Sequence, residues 1–348
     1  MVYYLKRMIN VTNRKITIFG SPWSCPQWMK QKDKNQISDE FKSSWVDYMI
    51  RYLKTFKDMG VEIDAMTPQN EPLHSADSAW TMYMDANTQV ELVNRLSSEI
   101  SNHGLRTKIW GYDHNTDNLD YPQQVLDSCD DVSTIAWHCY AFGLTQHEIW
   151  NPLAQFTSRN PNSTSVMTEC WTHDVETSEK FFHLPTFVGY PLQAGTAGSL
   201  AWYVFFFLRG RNSCVFLHFS QQKQYRTLGG STKYDVAFKD GCYQCSGLVQ
   251  IDPDNGAVFK TQDYYTMAHF SKYVDTDSRY LDTTGTYDYL DGTGVMANAF
   301  VNEQSGERVV VIQNRIYSPL HISVNFTSGD IWSADIPERS ITTWVLLV

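Results

Sequence analysis

Two glutamates carry the chemistry that can be read from this sequence. Glu71 lies in TPQNEPLHSAD (67–77), wedged between Asn70 and Pro72, and Glu169 lies in TSVMTECW (164–171); each closes a short apolar run. Cleavage of a glycosidic bond needs two carboxyls facing each other across a cleft. One is protonated and donates to the leaving oxygen, while the other is ionised and attacks the anomeric carbon. Surroundings can separate the two pKa values in that sense. Taken singly, a glutamate in such a place is more often a cap or an ion-pair partner. The company these two keep argues otherwise, because other apolar runs also end in polar or aromatic residues: Trp23, Asn70, Asp113 with His114, His138 with Tyr140, and Trp202.

The elements that must position these residues alternate in type. KITIFGSPW (15–23) reads as a strand, and a helix follows from about Ser38 to Met59, with Phe41, Trp45, Met49, Tyr52 and Phe56 at three- and four-residue steps and Gly60 at its stop. VEIDAMTPQNEP (61–72) is a second strand and loop, and a helix with Val90, Val93, Leu96 and Ile100 on one face ends near Gly104. TKIWGYDHN, VSTIAWHCYAF, TSVMTECW and GTAGSLAWYV (195–204) read as strands three to six. Strand–helix alternation implies a parallel sheet, whose site lies at the strand C-termini. A doubly wound sheet would gather ligands at one switch point. Ligands delivered by separate strands to one rim suit an α/β fold of the (β/α) barrel type.

From about Tyr273 the texture changes. GVMANAFVN, ERVVVIQNR, LHISVNF and SITTWVLLV are short alternating runs separated by turn residues, the signature of an antiparallel β-sandwich. The expected division is a barrel domain over 1–272 and a sandwich over 273–348, with an anomalous insertion at 203–231 that has no periodicity and an isolated Cys214. A translated intron or a lineage-specific insertion would account for it. Removing that segment leaves six of the seven cysteines, an even number suited to secretion.

Composition narrows the partners. A net charge of −10 with no basic run argues against nucleic acid, and no apolar stretch is long enough to cross a membrane. The 11 Trp and 20 Tyr suit flat sugar faces as well as a core. The start, MVYYLKRMIN, lacks the apolar centre of a signal peptide, while sequons at Asn10, Asn162 and Asn325 lean towards secretion. CYQC (242–245) is incomplete as a zinc set and fits a local disulfide or two thiols; WTHDVE fits a solvated loop better than metal ligands. A bridge between Cys139 and Cys170, on neighbouring strands, is open.

SPWSCPQWMK, TPQNEP, WHCY and MTEC, in this order and spacing, resemble glycoside hydrolase family 30, and the resemblance extends through TQDYYTMAHFSKYV (261–274) to the C-terminal strands. GYDHNTDN and GCYQCSGLVQID are similar to its fungal endo-β-1,6-glucanase branch. The resemblance implies a (β/α)8 TIM barrel with a β-sandwich and retaining hydrolysis without a cofactor. Glu71 would be the acid/base and Glu169 the nucleophile, their carboxyls about 5–5.5 Å apart. Asn70 would hold the sugar 2-hydroxyl, His138 and Tyr140 would orient the carboxylates, and Trp23 and Trp202 would line the sugar subsite. Asp113 and His114 join the substrate-binding set. The substrate would be a β-glucan and the protein a secreted monomer. A glucosylceramidase, a β-xylosidase or a non-catalytic sugar-binding chain are the rivals.

The family places its acid/base after barrel strand 4 and its nucleophile after strand 7, whereas Glu71 follows the second strand here and Glu169 the fifth. The interval is kept and the count starts two short. The expectation is a barrel apparently lacking its first two βα units and the Arg that the family keeps beside its nucleophile. KITIF and GSLAWYV would then be exposed edges, so that residues 1–348 alone would aggregate or be inactive.

Overall fold

The computed structural model describes residues 2–12, 16–32, 34–74, 81–141, 146–170, 180–200, 248–251, 255, 257–276, 278–283, 287–288 and 294–346. The chain divides into two compact units, Met1–Trp171 with Ala194–Tyr225 and Thr172–Gln193 with Arg226–Val348.

The first unit alternates helix and strand throughout: α1 (Val2–Val11), β1 (Phe19–Gly20), α2 (Lys42–Asp58), β2 (Ala65–Met66), α3 (Ala86–Asn102), β3 (Lys108–Asn115), α4 (Asp120–Ser128), β4 (Thr134–His138), α5 (Gln146–Arg159) and β5 (Thr164–Glu169). The strands form one parallel sheet in the order β1-β2-β3-β4-β5. Spatial order equal to chain order arises when every crossover steps the same way, as in a barrel. A doubly wound sheet reverses direction part-way. The expected sixth strand joins this edge: Ser199 bridges Met167 in parallel, Leu200 N–H donates to Met167 O at 2.7 Å, and Met167 N–H donates to Gly198 O at 3.0 Å. Trp202, the segment 203–231 with Cys214, CYQC and WTHDVE lie outside the described residues.

The helices follow their apolar periodicity with one shift. In α2 the buried stripe is Trp45, Val46, Met49, Ile50 and Leu53, while Tyr52 and Phe56 are only half-buried. A stripe traced through the largest aromatics drifts from the one that faces the core, because compact aliphatics let the helix approach more closely. Gly60 at φ 77° and Gly104 at φ 60° follow α2 and α3 in the left-handed conformation that ends helices. Asp85 caps α3 by accepting from Thr88 N–H at 2.8 Å.

The second unit contains α6 (Lys180–Gln193), β6 (Val249–Ile251), β7 (Val258–Lys260), α7 (Gln262–Ser271), β8 (Ser278–Leu281), β9 (Tyr287–Asp288), β10 (Gly294–Asn302), β11 (Arg308–Asn314), β12 (Leu320–Asn325), β13 (Ile331–Ile336) and β14 (Ser340–Leu346). β14-β11-β10-β8 form one antiparallel sheet, with β9 also paired to β10, and β12-β13 and β6-β7 are separate pairs. The alternation of β11 sorts its residues. Val309 and Val311 join Phe182 and Leu192 of α6 and Phe270 of α7, while Val310 and Ile312 join Ile336 beside Leu320, Ile322 and Val324. One face of the sheet is thus covered by helices and the other by the β12-β13 pair. The sequence texture changes only at 273, whereas by packing α6 and α7 already belong to this unit.

Gly189 shows how closely α6 approaches this sheet. A Cβ there would lie 2.5 Å from Met296 Sδ and 2.7 Å from Asn298 Oδ1, both side chains being fully buried. Asn298 Nδ2 already donates to Gly189 O at 3.1 Å, and Gln313 Nε2 to Pro185 O at 3.1 Å. Gly189→Ala is expected to destabilise by about 1–3 kcal/mol despite alanine's better helix propensity, because overpacking outweighs it. Gly198→Ala, with nothing within 4 Å of the added Cβ, is the control and should stay within about 0.5 kcal/mol. Equal melting temperatures for the two variants would contradict this.

Candidate active site

Glu71 ends the loop that follows β2. Asn70 N–H donates to Pro22 O at 2.9 Å, and Gln69 Nε2 donates to Trp23 O at 2.6 Å, so the loops after β1 and β2 are tied together. Glu71 N–H donates to Asp113 O at 3.0 Å. Glu71 sits at φ 46°, and Tyr112 and Asp113 at 73° and 70°, three left-handed non-glycine residues in one place. Such strain persists where surrounding contacts over-determine the backbone, and it gathers at functional sites. The β3–β4 register shifts between Tyr112 and His114, a bulge-like irregularity that re-aims side chains. A second shift on β4 leaves His138 paired with Glu169 of β5. The bridge Cys139–Cys170 joins the next residue of each strand.

These distortions converge on His138, which is 1% exposed. Its Nδ1 is 3.3 Å from Glu71 Oε1, and its Nε2 is 3.0 Å from Asp113 Oδ1. One atom each of Glu71, His138 and Glu169 lie within 4.8 Å of one another. The nearest carboxyl oxygens of Glu71 and Glu169 are thus within 4.8 Å of each other. Both His138 nitrogens face carboxylates, so a metal ion could take the ring only by displacing one of these contacts.

Burial disfavours the charged form of every group here, and the neighbours decide which groups stay charged. For His138, burial is outweighed by Glu169, Asp113 and Glu71, and its pKa rises well above the ordinary imidazole value. Burial likewise opposes ionisation of Asp113, but His138 and the hydroxyls of Thr168 and Ser21 hold it at about 2. Burial would raise Glu71, yet the hydrogen bond and charge of His138, with His114 and His74, bring it below 4.5. Glu169 goes the other way: burial, reinforced by Glu71 and Asp113, pushes it up to about 8 against His138 and the Tyr140 hydrogen bond. The surroundings thus push the two carboxyls apart, Glu71 down and Glu169 up. His114 is pushed down to about 4, chiefly by burial, and is neutral at pH 7.

The structure brings Glu71, Glu169, Asn70, Asp113, His114, His138, Tyr140 and Trp23 to the strand ends of the first unit; Trp202 is outside the described residues. Asp113, expected among the substrate ligands, is turned inward and is 1% exposed. Oδ1 accepts from Thr168 Oγ1 at 2.7 Å as well as facing His138, and Oδ2 accepts from Ser21 Oγ and Thr67 Oγ1, both at 2.7 Å. Ser21, Thr67 and Thr168 were not singled out by sequence reasoning. Each sits inside a recognised motif (SPW, TPQNEP, MTEC), but a small hydroxyl gives no sign of what it will face.

Residues 1–179 match the glycosyl hydrolase family 30 TIM-barrel domain, and residues 277–344 match that family's beta sandwich domain. A barrel whose strand ends gather paired carboxyls, followed by a sandwich, is the architecture of a glycoside hydrolase, and the chain belongs to glycosyl hydrolase family 30. It is 36% identical to an endo-1,6-beta-D-glucanase of Trichoderma harzianum over 352 residues, covering 96% of this chain and 65% of that protein. It is also 36% identical to the endo-1,6-beta-D-glucanase of Neurospora crassa over 342 residues, covering 95% of this chain and 65% of that one. The chain thus spans about 65% of the length of these curated relatives. Among solved structures, an endo-beta1,6-glucanase superposes with a TM-score of 0.78 at 22% identity, covering 99% of this chain and 74% of that chain. At that identity the likeness speaks for the fold.

Proposed function

We propose that this chain carries the catalytic centre of a retaining β-glycoside hydrolase that cleaves internal β-1,6 linkages of glucan. The observation that carries the reading is the Glu71–Glu169 pair, Glu71 in the loop after β2 and Glu169 closing β5, whose nearest atoms lie within 4.8 Å of each other and of His138. The names of the relatives support the linkage. In this reading an oxygen of ionised Glu169 attacks the anomeric carbon while Glu71 gives its proton to the departing glycosidic oxygen. A water then loses a proton to Glu71, attacks the same carbon and releases Glu169 with the β configuration retained. The first step needs the pair's proton on Glu71, against the direction in which burial of Glu169 and the contact with His138 bias the two carboxyls. Glu71 is 23% exposed, and a sugar that strips its water draws the proton there. Asn70 Oδ1 is buried and has no hydrogen-bond partner among the described residues, which suits a sugar hydroxyl. Trp23 supplies apolar sugar-facing surface, and Tyr140 steadies Glu169.

Secretion as a glycoprotein fits the exposure of Asn10, Asn162 and Asn325 and the Cys139–Cys170 bridge. Among the described residues no helix is long and apolar enough to cross a membrane. We take the protein to act as a monomer.

The one-proton pair sets the pH dependence. Activity on β-1,6-gluco-oligosaccharides should fall above about pH 8, when the pair loses its proton, and again in acid, on the low side of the ordinary carboxylate value, when it gains a second. Proton NMR of the nascent product should show the β-anomer first. A first-formed α-anomer, or no hydrolysis by the cooperatively folded chain between those limits, would sink the proposal.

A further inference from the structure

Asp113 reaches Glu71 by two routes. Its backbone carbonyl accepts the Glu71 N–H at 3.0 Å, and its carboxylate faces His138 Nε2 at 3.0 Å while His138 Nδ1 faces Glu71 Oε1 at 3.3 Å. Main chain and side chain of one residue therefore hold main chain and side chain of another. The Asp113 carboxylate is itself fixed by three hydroxyls from three different segments: Ser21 after β1, Thr67 after β2 and Thr168 of β5. Tyr112 and Asp113 are strained, with φ near 70°, and the bulge they form aims this side chain inward. A carboxylate of ordinary structural value would need neither the strain nor four partners. A buried charge with four converging groups is pre-organised, and it fixes whatever it pairs with.

We propose that Asp113 is a positioning residue of the proposed hydrolase: it holds His138 as the doubly protonated ring, in one orientation, and through it aims the Glu71 carboxyl at the leaving oxygen. This rests on the reading of Glu71 as the acid/base. Ser21, Thr67 and Thr168 serve the same end one step further out, by fixing Asp113.

The groups facing His138 are Asp113 from β3, Glu71 from the loop after β2 and Glu169 from β5, with Tyr140 two residues past the end of its own strand and the neutral His114 nearby. Asp113 and Glu71 lie within hydrogen-bond reach of the ring and favour the imidazolium, and Glu169 does so when it is ionised. Asp113 is 1% exposed, is held at both oxygens by hydroxyls and takes no part in the proposed bond-making, so it persists in that role when substrate alters the charges of the catalytic pair.

The test has two arms. In the first, the ring nitrogens of His138 are followed by 15N NMR. In the wild-type chain both should stay protonated from about pH 5 to 8. In Asp113→Asn, which keeps the size and tolerates the left-handed backbone, the ring should lose a proton within that window. In the second arm, kcat is compared for β-1,6-glucan and for an aryl β-glucoside with a strongly acidic phenol. A positioned proton donor matters for the poor leaving group and little for the good one. Asp113→Asn should lose about 10²-fold or more on the glucan and less than about tenfold on the aryl glucoside, with KM within about threefold on both. Ser21→Ala, which removes one hydroxyl from Asp113, should show the same split at about a tenth of the size, and it serves if Asp113→Asn does not fold. Equal losses on the two substrates, or a wild-type His138 that titrates near the ordinary imidazole value, would overturn the proposal. A wild-type chain that hydrolyses neither substrate would remove the proposed activity, while the NMR arm would still decide whether Asp113 governs His138.

Discussion

Glu169→Gln is expected to abolish turnover, by roughly 10⁴-fold or more, and to raise the melting temperature at neutral pH. The first effect follows from chemistry: an amide cannot form the glycosyl ester, so a mechanism-based 2-fluoroglycoside should label the wild-type chain at Glu169 and leave the variant unlabelled. The second follows from burial. Glu169 is 2% exposed, and its folded pKa, about 8, stands above its ordinary 4.5. A group raised in the folded state adds its full stability below the unfolded pKa and loses it as pH rises through the folded one. Between those two values the unfolded chain has released the proton that the folded chain keeps, so the folded state loses ground by about 1.4 kcal/mol per pH unit at most. Glutamine never ionises and escapes this penalty. Wild type and variant should melt together near pH 4.5, and the variant should gain steadily up to about pH 8. Labelling of the variant, or a melting advantage that ignores pH, would contradict this account.

Glu71→Gln is expected to separate the two chemical steps. On β-1,6-glucan, whose leaving alkoxide needs a proton, it should lose about 10²–10⁴-fold. On an aryl β-glucoside with an acidic phenol the first step needs no proton, so a burst of phenol should survive. Deglycosylation then lacks its base, and the glycosyl-enzyme on Glu169 should accumulate and be seen as an intact-mass adduct. Azide, a nucleophile that needs no base, should discharge that adduct and restore turnover with a β-glycosyl azide as product. Absence of both burst and rescue in a folded variant would remove Glu71 from the acid/base role. The variant also takes from His138 one of its three carboxylate partners, so its imidazolium should weaken without disappearing, since Asp113 remains.

The sequence by itself determined the order of the elements and most of the residues at the strand ends. Apolar runs closing in Asn70-Glu71, Asp113-His114, His138 and Glu169 recur at βα spacing, and β-strand alternation in the last quarter outlined β10, β11, β12 and β14 almost residue for residue. Those features are local, written in periodicity and in the breakers that end each run. The face of α2 was drawn correctly through Trp45 and Met49 and drifted after them, because choosing between Tyr52 and Leu53 depends on what the helix packs against. The membership of α6 in the second unit was missed for a related reason: the close approach through Gly189 to Met296 and Asn298 joins residues more than a hundred positions apart. Only the tertiary structure decided where Asp113 points. Its type and place suggested a sugar ligand, but a register shift and two left-handed residues turn it towards Ser21, Thr67, His138 and Thr168, which come from four other segments. It also decided the directions in which the Glu71 and Glu169 pKa values move. A carboxyl's pKa depends on burial and on charges a few ångströms away, and in this site those charges are brought together by four separate strands and their loops.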